Sequence, residues 1–437
     1  MSLKILKIMA AALAAGAVVL STGALNADQF LSLPALIEQA LRNNPGVAAS
    51  SSSVDAAKAK VPQAGALPDP MLMLGVMSVP VDTFKLNQEP MTQIAVGVSQ
   101  TIPYPGKLGD MSKAAQAGSQ AAEYRDAAAR QQAVALVRMA YYDLVFVDRA
   151  IAITDRDKEL MGELSRIAAA RYAVGMGIQQ DVLKAQVELS RMIDQQIMYD
   201  LRRAQKAAEL TRLINADRQQ PVAGTRPAST LPPLPGREEL FLAARQNNPM
   251  VLAQRSMADQ ARKEEALARL AWKPDVTVGV NYGFRQDTES GGMTKDTPDL
   301  LSASVGIPIP LWKKNKQDQE VAEKEARQKA AQDSAADVET QVIARVDQAL
   351  AEAGAARQRI TLLETGIIPQ AEKSLESARA GYQTGKVDFV TMLDNQITLY
   401  KLELQLVELK SGYLKALAEL DMLTGKPIDE IMKGAES

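Results

Sequence analysis

The chain says the same thing twice. Arg171-Tyr172-Ala173-Val174-Gly175 leads into Asp181-Val182-Leu183-Lys184-Ala185-Gln186, and Gly381-Tyr382-Gln383-Thr384-Gly385 leads into Thr391-Met392-Leu393-Asp394-Asn395-Gln396, with Tyr, Gly, Leu and Gln each recurring 210 residues on. Asn43-Asn44-Pro45 returns as Asn247-Asn248-Pro249, and Pro68-Asp69 as Pro274-Asp275. The chain is a tandem duplication of one long module, and such a repeat settles architecture before any single residue does. The module boundaries fall at residues 28–216 and 237–425, with a connector at 217–236 rich in Pro, Gly, Ser and Thr and a short polar tail at 426–437.

Composition then narrows the chemistry. Cys and His are both absent, which removes disulfides, Cys/His metal sites and Ser-His or Cys-His catalysis together. No constellation points to an enzyme, and nothing calls for a cofactor or a resident metal. A net charge of -2 leaves no electrostatic footprint for nucleic acid. Lys4 and Lys7 precede an apolar run from Ile8 to Leu20 and small residues ending near Ala24 or Ala27, the pattern of a signal peptide over residues 1–27. No later segment offers about 18 uninterrupted apolar residues, so a membrane could be entered only by strands.

Four segments alternate as such strands would. From Asp275 to Phe284, Val276, Val278, Val280, Tyr282 and Phe284 share one face while Thr277, Gly279, Asn281 and Gly283 share the other. Leu301, Ala303, Val305, Ile307 and Ile309 alternate likewise with Ser302, Ser304, Gly306 and Pro308. In the first repeat Gln93 to Ser99 alternates, with Ile94, Val96 and Val98 outward, and Met71-Leu72-Met73-Leu74 forms a blurred partner. The stretches Pro80 to Pro90 and Gln286 to Pro298 then read as hairpin loops. Such strands suit either a transmembrane barrel or a half-buried soluble hairpin. Four strands cannot close a barrel, and open edges cannot stand in lipid, so a membrane reading requires several copies; three give twelve strands. Tyr104 and Trp312, just past the second strand of each repeat beside Lys107 and Lys313-Lys314, fit an interfacial belt facing outer-membrane lipid, or an ordinary helix start.

The remainder reads as helix. From Gly106 to Gln220 there is no proline, and the only punctuation is Gly175 to Gly177. Each repeat is expected to hold a helix of about 65 residues, roughly 100 Å long, followed by one of about 38. Coiled-coil seams are expected along Val182, Leu189, Ile193, Ile197, Leu201, Ala204 and Ala208, and along Leu393, Ile397, Tyr400, Leu404, Val407, Leu414 and Ala418. Pro369 is expected to kink the second long helix.

This ordered set, present twice, resembles the TolC family of bacterial outer-membrane efflux proteins. The resemblance spans about Leu31 to Gly425 and rests on the Asn-Asn-Pro helices, the Pro-Asp strand entries, Ile102-Pro103 with Ile309-Pro310, and the two Tyr-x-x-Gly turns. It implies a mainly α fold with a small transmembrane β-barrel: a homotrimer whose twelve-stranded barrel continues into a twelve-helix periplasmic tunnel. It implies a passive duct in the outer membrane of a Gram-negative cell, engaged at its tip by a periplasmic adaptor (membrane fusion protein) and an inner-membrane pump of the resistance-nodulation-division (RND) type. Ile102-Pro103-Tyr104-Pro105-Gly106-Lys107 and Pro308-Ile309-Pro310-Leu311-Trp312 are most similar to the metal-cation branch, with drug or solvent efflux and type I secretion as alternatives on the same fold and a soluble coiled-coil scaffold as a remote one. Many relatives are lipid-anchored through a Cys after the signal peptide. This chain has none, so attachment would rest on the barrel alone.

The resemblance also names residues at the tunnel tip. Val174, Gly175 and Met176 in one turn, and Thr384, Gly385 and Lys386 in the other, would meet the adaptor. Asp394, directly after Leu393, matches a carboxylate lining the constriction, while a second family carboxylate position is Thr391 here; Asp388 and Asp181 are placed to compensate, and Lys184 occupies the first-repeat column of Asp394. A carboxylate ring in a narrow water-filled bore would favour cations. The alternative for Asp394 is a solvated carboxylate near a helix N-terminus. The eighteen Met residues suit soft-metal ligation, but packing on the strand and in helix seams accounts for them.

Overall fold

A computed structural model describes residues 32–217, 225, 231–290 and 293–435. The signal-peptide expectation for residues 1–27 lies outside them. The first repeat runs α1 (Leu33–Asn43), α2 (Pro45–Gly65), β1 (Met71–Met77), β2 (Gln93–Ile102), α3 (Lys107–Ala173) and α4 (Gln179–Ile214). The second runs α5 (Arg237–Asn247), α6 (Pro249–Ala268), β3 (Val276–Phe284), β4 (Thr288–Ser290), β5 (Met293–Lys295), β6 (Leu300–Gly306), α7 (Gln317–Leu362), a π-helical turn at Leu363–Ile367, α8 (Ile368–Gln383) and α9 (Phe389–Thr424), with α10 (Ile428–Ala435) after it.

The Asn-Asn-Pro marker turns out to be a joint. Asn44 caps α2, its side-chain oxygen accepting from Gly46 and Val47 N–H while Pro45 occupies the first turn, where no N–H is needed. Its amide donates to Leu213 O at 2.8 Å, a carbonyl at the end of α4 that the helix cannot satisfy. Asn248 does the same for Met250 and Val251 and donates to Leu423 O, also at 2.8 Å. One residue closes the start of one helix and the end of another, once per repeat.

The strands form one antiparallel sheet in the order β1-β2-β3-β6. Both hairpins share a register, Met71 opposite Ser99 and Thr277 opposite Gly306. β2 runs to Ile102, three residues past the expected end at Ser99. β6 stops at Gly306 rather than Ile309, because Pro308 and Pro310 have no N–H to give a ladder. The Gln286 to Pro298 loop carries the small β4–β5 hairpin, an extension that its polar composition concealed. Gly279 and Gly283 are buried while Val278, Val280, Tyr282 and Phe284 are exposed, so the expected two faces are present. Through the pairing of β1 with β2, Met71, Met73 and Met77 fall on the face of Ser99, Gly97 and Gln93, with the small and polar residues.

The long helices pack side by side in the order α4, α3, α9, α7. α3 has 67 residues, about 100 Å at the helical rise. Pro369 cannot donate to the carbonyl one turn back, and the chain absorbs this in the π-helical turn just before it. The second-repeat seam is as expected, with Leu393, Tyr400, Leu414 and Ala418 buried. The first-repeat seam holds only near the tip, where Val182 and Leu189 pack against the core shared by the two repeats. Ile193, Ile197, Leu201, Ala204 and Ala208 are exposed, and α4 buries Ala185, Met192, Tyr199 and Leu210 instead. α4 has α3 on one flank and no long helix of its own chain on the other, so only the stripe facing α3 is covered. The tail is more than polar: Gly425 ends α9 at φ 76°, and α10 then tucks Ile428 into the second-repeat core.

Asp143 ties three helices together. On α3 and largely buried, it accepts from Lys206 of α4 at 2.9 Å and Lys415 of α9 at 2.7 Å. Burial pushes its carboxyl up, but the bonds and charges of Lys415 and Lys206 outweigh that and hold it below the ordinary 3.8. A depressed carboxyl contributes stability above its unfolded value that is lost as pH falls through the folded one. Asp143→Asn is therefore expected to cost about 2 kcal/mol at neutral pH. In thermal unfolding followed by circular dichroism, the gap between variant and parent should shrink as the pH drops below 3.8.

Candidate functional site at the helical tip

The end of the helical layer farthest from the sheet consists of two turns, residues 174–178 and 384–388. Both are the same helix stop. Met176 N–H bonds Arg171 O at 2.8 Å and Gly175 N–H bonds Tyr172 O at 3.0 Å; Lys386 N–H bonds Gly381 O at 2.8 Å and Gly385 N–H bonds Tyr382 O at 3.2 Å. This six-to-one and five-to-two pattern needs one left-handed residue, supplied by Gly175 at φ 75° and Gly385 at φ 72°. The repeated Tyr-x-x-Gly is therefore a helix terminator, with Tyr in the last turn and Gly just past it. A Cβ on either glycine would meet nothing within 4 Å, so a side chain there projects into open space. Val174 is 69% and Met176 73% exposed, and Thr384 and Lys386 are exposed as well.

The two turns lean on each other. The Arg171 guanidinium lies over the Tyr382 ring at 4.6 Å, and Tyr382 meets Phe389 edge-on at 5.7 Å. Beneath them Met161, Leu164, Ala185, Met192, Phe389, Met392 and Leu393 form one apolar core shared by both repeats.

The expected carboxylates gather around this point in different states. Asp388 caps α9, accepting from Thr391 N–H at 2.6 Å; bonds from Thr391 hold its carboxyl below the ordinary value. Thr391 is thus the capped residue, and it stands exposed. Asp181, half-buried, is pushed up by burial and then by the Asp388 charge, against the pull of Arg171 and Lys184. Asp394 is exposed, with Lys184 Nζ 3.5 Å from its carboxylate. Lys184 acts on all three acids: its charge pulls on Asp181 of its own repeat and on Asp388 of the other, and its Nζ lies beside Asp394.

A second feature lies behind the tip, and sequence reading passed over it. Asp157 on α3 is fully buried and accepts from Gln396 Nε2 at 2.6 Å and from Arg156 at 2.9 Å. Gln396 in turn accepts from Arg379 at 2.7 Å, and the Thr154 and Tyr400 hydroxyls pair at 3.0 Å. The available signal was spacing: Thr154 and Asp157 continue the buried stripe of Met161, Leu164 and Ala168, so a carboxylate falls on a packed face. At the opposite end, Tyr104 is half-buried, with Lys273 Nζ 4.5 Å above its ring and 3.2 Å from its hydroxyl, while Trp312 is 73% exposed. Trp272, just before β3 and 51% exposed, is a third aromatic there that the sequence reading missed. Among the described residues no helix is long and apolar enough to cross a membrane, and no group of three or more His, Cys, Asp or Glu could hold a metal ion.

This architecture of two repeats, each a β-hairpin on a long helical hairpin, has known counterparts. The family model for outer membrane efflux proteins matches residues 36–216 and 240–426. The chain belongs to that family. Among curated relatives, the cobalt-zinc-cadmium resistance protein CzcC of Cupriavidus metallidurans is 23% identical over 91% of this chain and 90% of its own length. The outer membrane protein TolC of Vibrio cholerae is 23% identical over 72% of this chain and 71% of its own. The crystal structure of CusC superposes with a TM-score of 0.76 at 18% identity, covering 91% of this chain and 94% of that one. The outer-membrane channel OprN gives 0.77 at 16%, covering 91% and 90%. As a member of the outer membrane efflux family, the protein is a passive transport duct and not an enzyme, the outer-membrane component of a tripartite system completed by an adaptor and an inner-membrane pump.

The buried network supplies a test of what holds the tip helices together. Gln396→Leu removes a donor from the buried Asp157 carboxylate and is expected to cost about 2 kcal/mol. It should also raise the rate of proteolysis at residues 174–178 and 384–388. Unchanged stability and cleavage would show that the apolar core alone sets the helix contact.

Proposed function

We propose that the protein is the homotrimeric outer-membrane channel of an RND-type tripartite system that exports metal cations. The observation that carries the assembly is a contrast between matched positions. Leu393 is fully buried, yet Leu183, its counterpart 210 residues earlier, is 53% exposed; Ser411 is 5% exposed and its counterpart Leu201 50%. The second-repeat positions are covered by α3, and their first-repeat twins face outward along α4. Leaving large aliphatic side chains open where a serine is buried makes physical sense if a neighbour's α7 and α8 cover α4 as α3 covers α9. The sheet repeats the theme, with β1 and β6 as open edges. Three copies then join helices and strands into closed rings. A duplicated chain and threefold symmetry together approximate sixfold symmetry.

The cation reading draws support from the tip acids and from CzcC, a resistance protein for cobalt, zinc and cadmium that is matched almost end to end. In the assembly, Asp394, Asp388 and Asp181 are proposed to line the constriction, Val174, Gly175, Met176, Thr384, Gly385 and Lys386 to meet the adaptor, and Tyr104, Trp312 and Trp272 to sit at the membrane interface. Lys184 tempers the constriction, since it brings a positive charge to the same ring.

In a strain deleted for this gene, the parent protein is expected to restore tolerance to zinc, cobalt and cadmium. Gly175→Trp and Gly385→Trp should fail to do so while still inserting in the outer membrane as trimers, because each side chain projects from the docking turn. Restored tolerance to organic solvents or antibiotics, without metals, would move the protein to the drug-export branch.

Planar-bilayer recordings test the constriction. Lys184→Gln is expected to raise cation selectivity and Asp394→Asn to lower it, with little change in trimer stability, because an exposed ion pair is worth about 0–1 kcal/mol. On acidification Asp181 should lose its charge before Asp388, so selectivity begins to fall before Asp388 is protonated. Equal selectivity in all variants would mean that helix contacts alone close the bore.

A further inference from the structure

The two hairpins correspond residue for residue. Met71 lies two positions after Asp69 as Thr277 lies two after Asp275, and Ser99 lies four before Pro103 as Gly306 lies four before Pro310. The pairs Met71 with Ser99 and Thr277 with Gly306 are therefore the same pair. The joint between hairpins, β2 on β3, occurs once within the chain, with Ile94 opposite Phe284 and Ile102 opposite Val276.

That inner joint is locked at its helix-proximal end. Asp275, at the entry to β3, accepts from Tyr104 N–H at 2.8 Å and from Lys107 Nζ at 2.7 Å, both just past the exit of β2. Lys107 Nζ also donates to Lys273 O at 2.9 Å. The lysine is largely buried, so the pair is shielded from solvent on its cationic side.

The chain carries the halves of a second such lock, and they lie on opposite edges of the sheet. Asp69 stands at the entry to β1, exposed and without a side-chain partner among the described residues. Past the exit of β6, Leu311 N–H, the counterpart of Tyr104 N–H, closes a tight turn on Ile309 O at 2.9 Å instead. The second repeat has three more residues here, since its strand markers lie 207 on and its helix markers 210, and the counterpart of Lys107 is spread over Lys313, Lys314 and Lys316. Of these, only Lys313 comes near an acid, Asp318 at 3.9 Å. Backbone pairing is weak at this end because Pro70, Pro308 and Pro310 all lack an N–H, which leaves the closure to side chains.

With β6 of one copy beside β1 of the next, as the trimer reading requires, the register of the β2–β3 joint sets Ala303 opposite Val76 and Val305 opposite Leu74, and we propose that Asp69 locks this joint. Asp69 accepts from Leu311 N–H and from the lysine run 313–316 of the neighbouring copy. The pairing keeps Leu72, Leu74 and Val76 on the face of Ala303 and Val305, so the apolar surface stays continuous across copies. The proposal rests on the trimer reading and adds to it the charges that hold the joint and the register they fix.

The chain has no Cys, so engineered pairs report one contact each. Val76→Cys with Ala303→Cys is expected to give disulfide-linked dimers and trimers on oxidation in outer membranes, and Val76→Cys with Leu301→Cys, slipped by two residues, to give little. Asp69→Lys should lower the temperature at which detergent-purified trimer dissociates, and combining it with Lys313→Glu, Lys314→Glu and Lys316→Glu should recover most of the loss. Light scattering on the parent protein separates the two levels. A monomer there would remove the trimer reading itself. A trimer that cross-links in the slipped register, or that Asp69→Lys leaves unchanged, would overturn the lock while the trimer stands.

Discussion

An unpaired backbone is the constraint on which the rest of this structure depends. Each chain ends its sheet on β1 at one side and β6 at the other, with apolar side chains exposed along both. Strand edges in lipid leave N–H and C=O groups that nothing there can satisfy, at several kcal/mol each. The helical layer has the same character, since α4 and α7 are outer members and α4 shows a stripe of large aliphatic residues. In the proposed trimer, a chain of this kind is a segment of a ring.

In the proposed trimer, duplication explains how one chain can carry the instructions for its own neighbours. Contacts between the first and second repeat are made inside the chain, and the same surfaces recur at its two ends. The matched positions then differ in burial without differing in design, as with Leu393 and Leu183. Where the repeats have diverged, the divergence is chemical: the buried Gln396–Asp157 bond and the Tyr400–Thr154 pair join the two repeats within one chain. The counterparts of Gln396 and Tyr400 are Gln186 and Ser190, and those of Asp157 and Thr154 are Ile367 and Glu364, so that network is not repeated. In the proposed trimer the inner and outer helix joints would therefore differ in polar content.

Much of this was legible in the residues. Tyr-x-x-Gly reads as a turn because only glycine adopts the left-handed conformation freely, and both glycines do so. Alternation in Val276–Phe284 predicted two faces that the structure keeps. The misses were positional. Ile193, Ile197 and Leu201 have seam spacing and lie exposed, because periodicity reports that a face is apolar and not which partner covers it. Lys184 and Asp394 sit 210 residues apart and meet at 3.5 Å, a pairing that no local pattern contains.

The sequence by itself determined the elements and their repetition: helix length from the absence of proline, strand faces from a period of two, turns from glycine, and family membership from the order of these marks. Those are short-range properties, set by backbone sterics and by which side of an element is apolar. Tertiary structure alone decided which charged groups share a space and which apolar stripes go unpartnered. Asp157 became a buried acceptor because α9 lies against α3, and Asp275 found Lys107 because β2 pairs with β3. Coulombic and hydrogen-bond energies depend on distances of a few ångströms between residues far apart in the chain, and only packing fixes those distances.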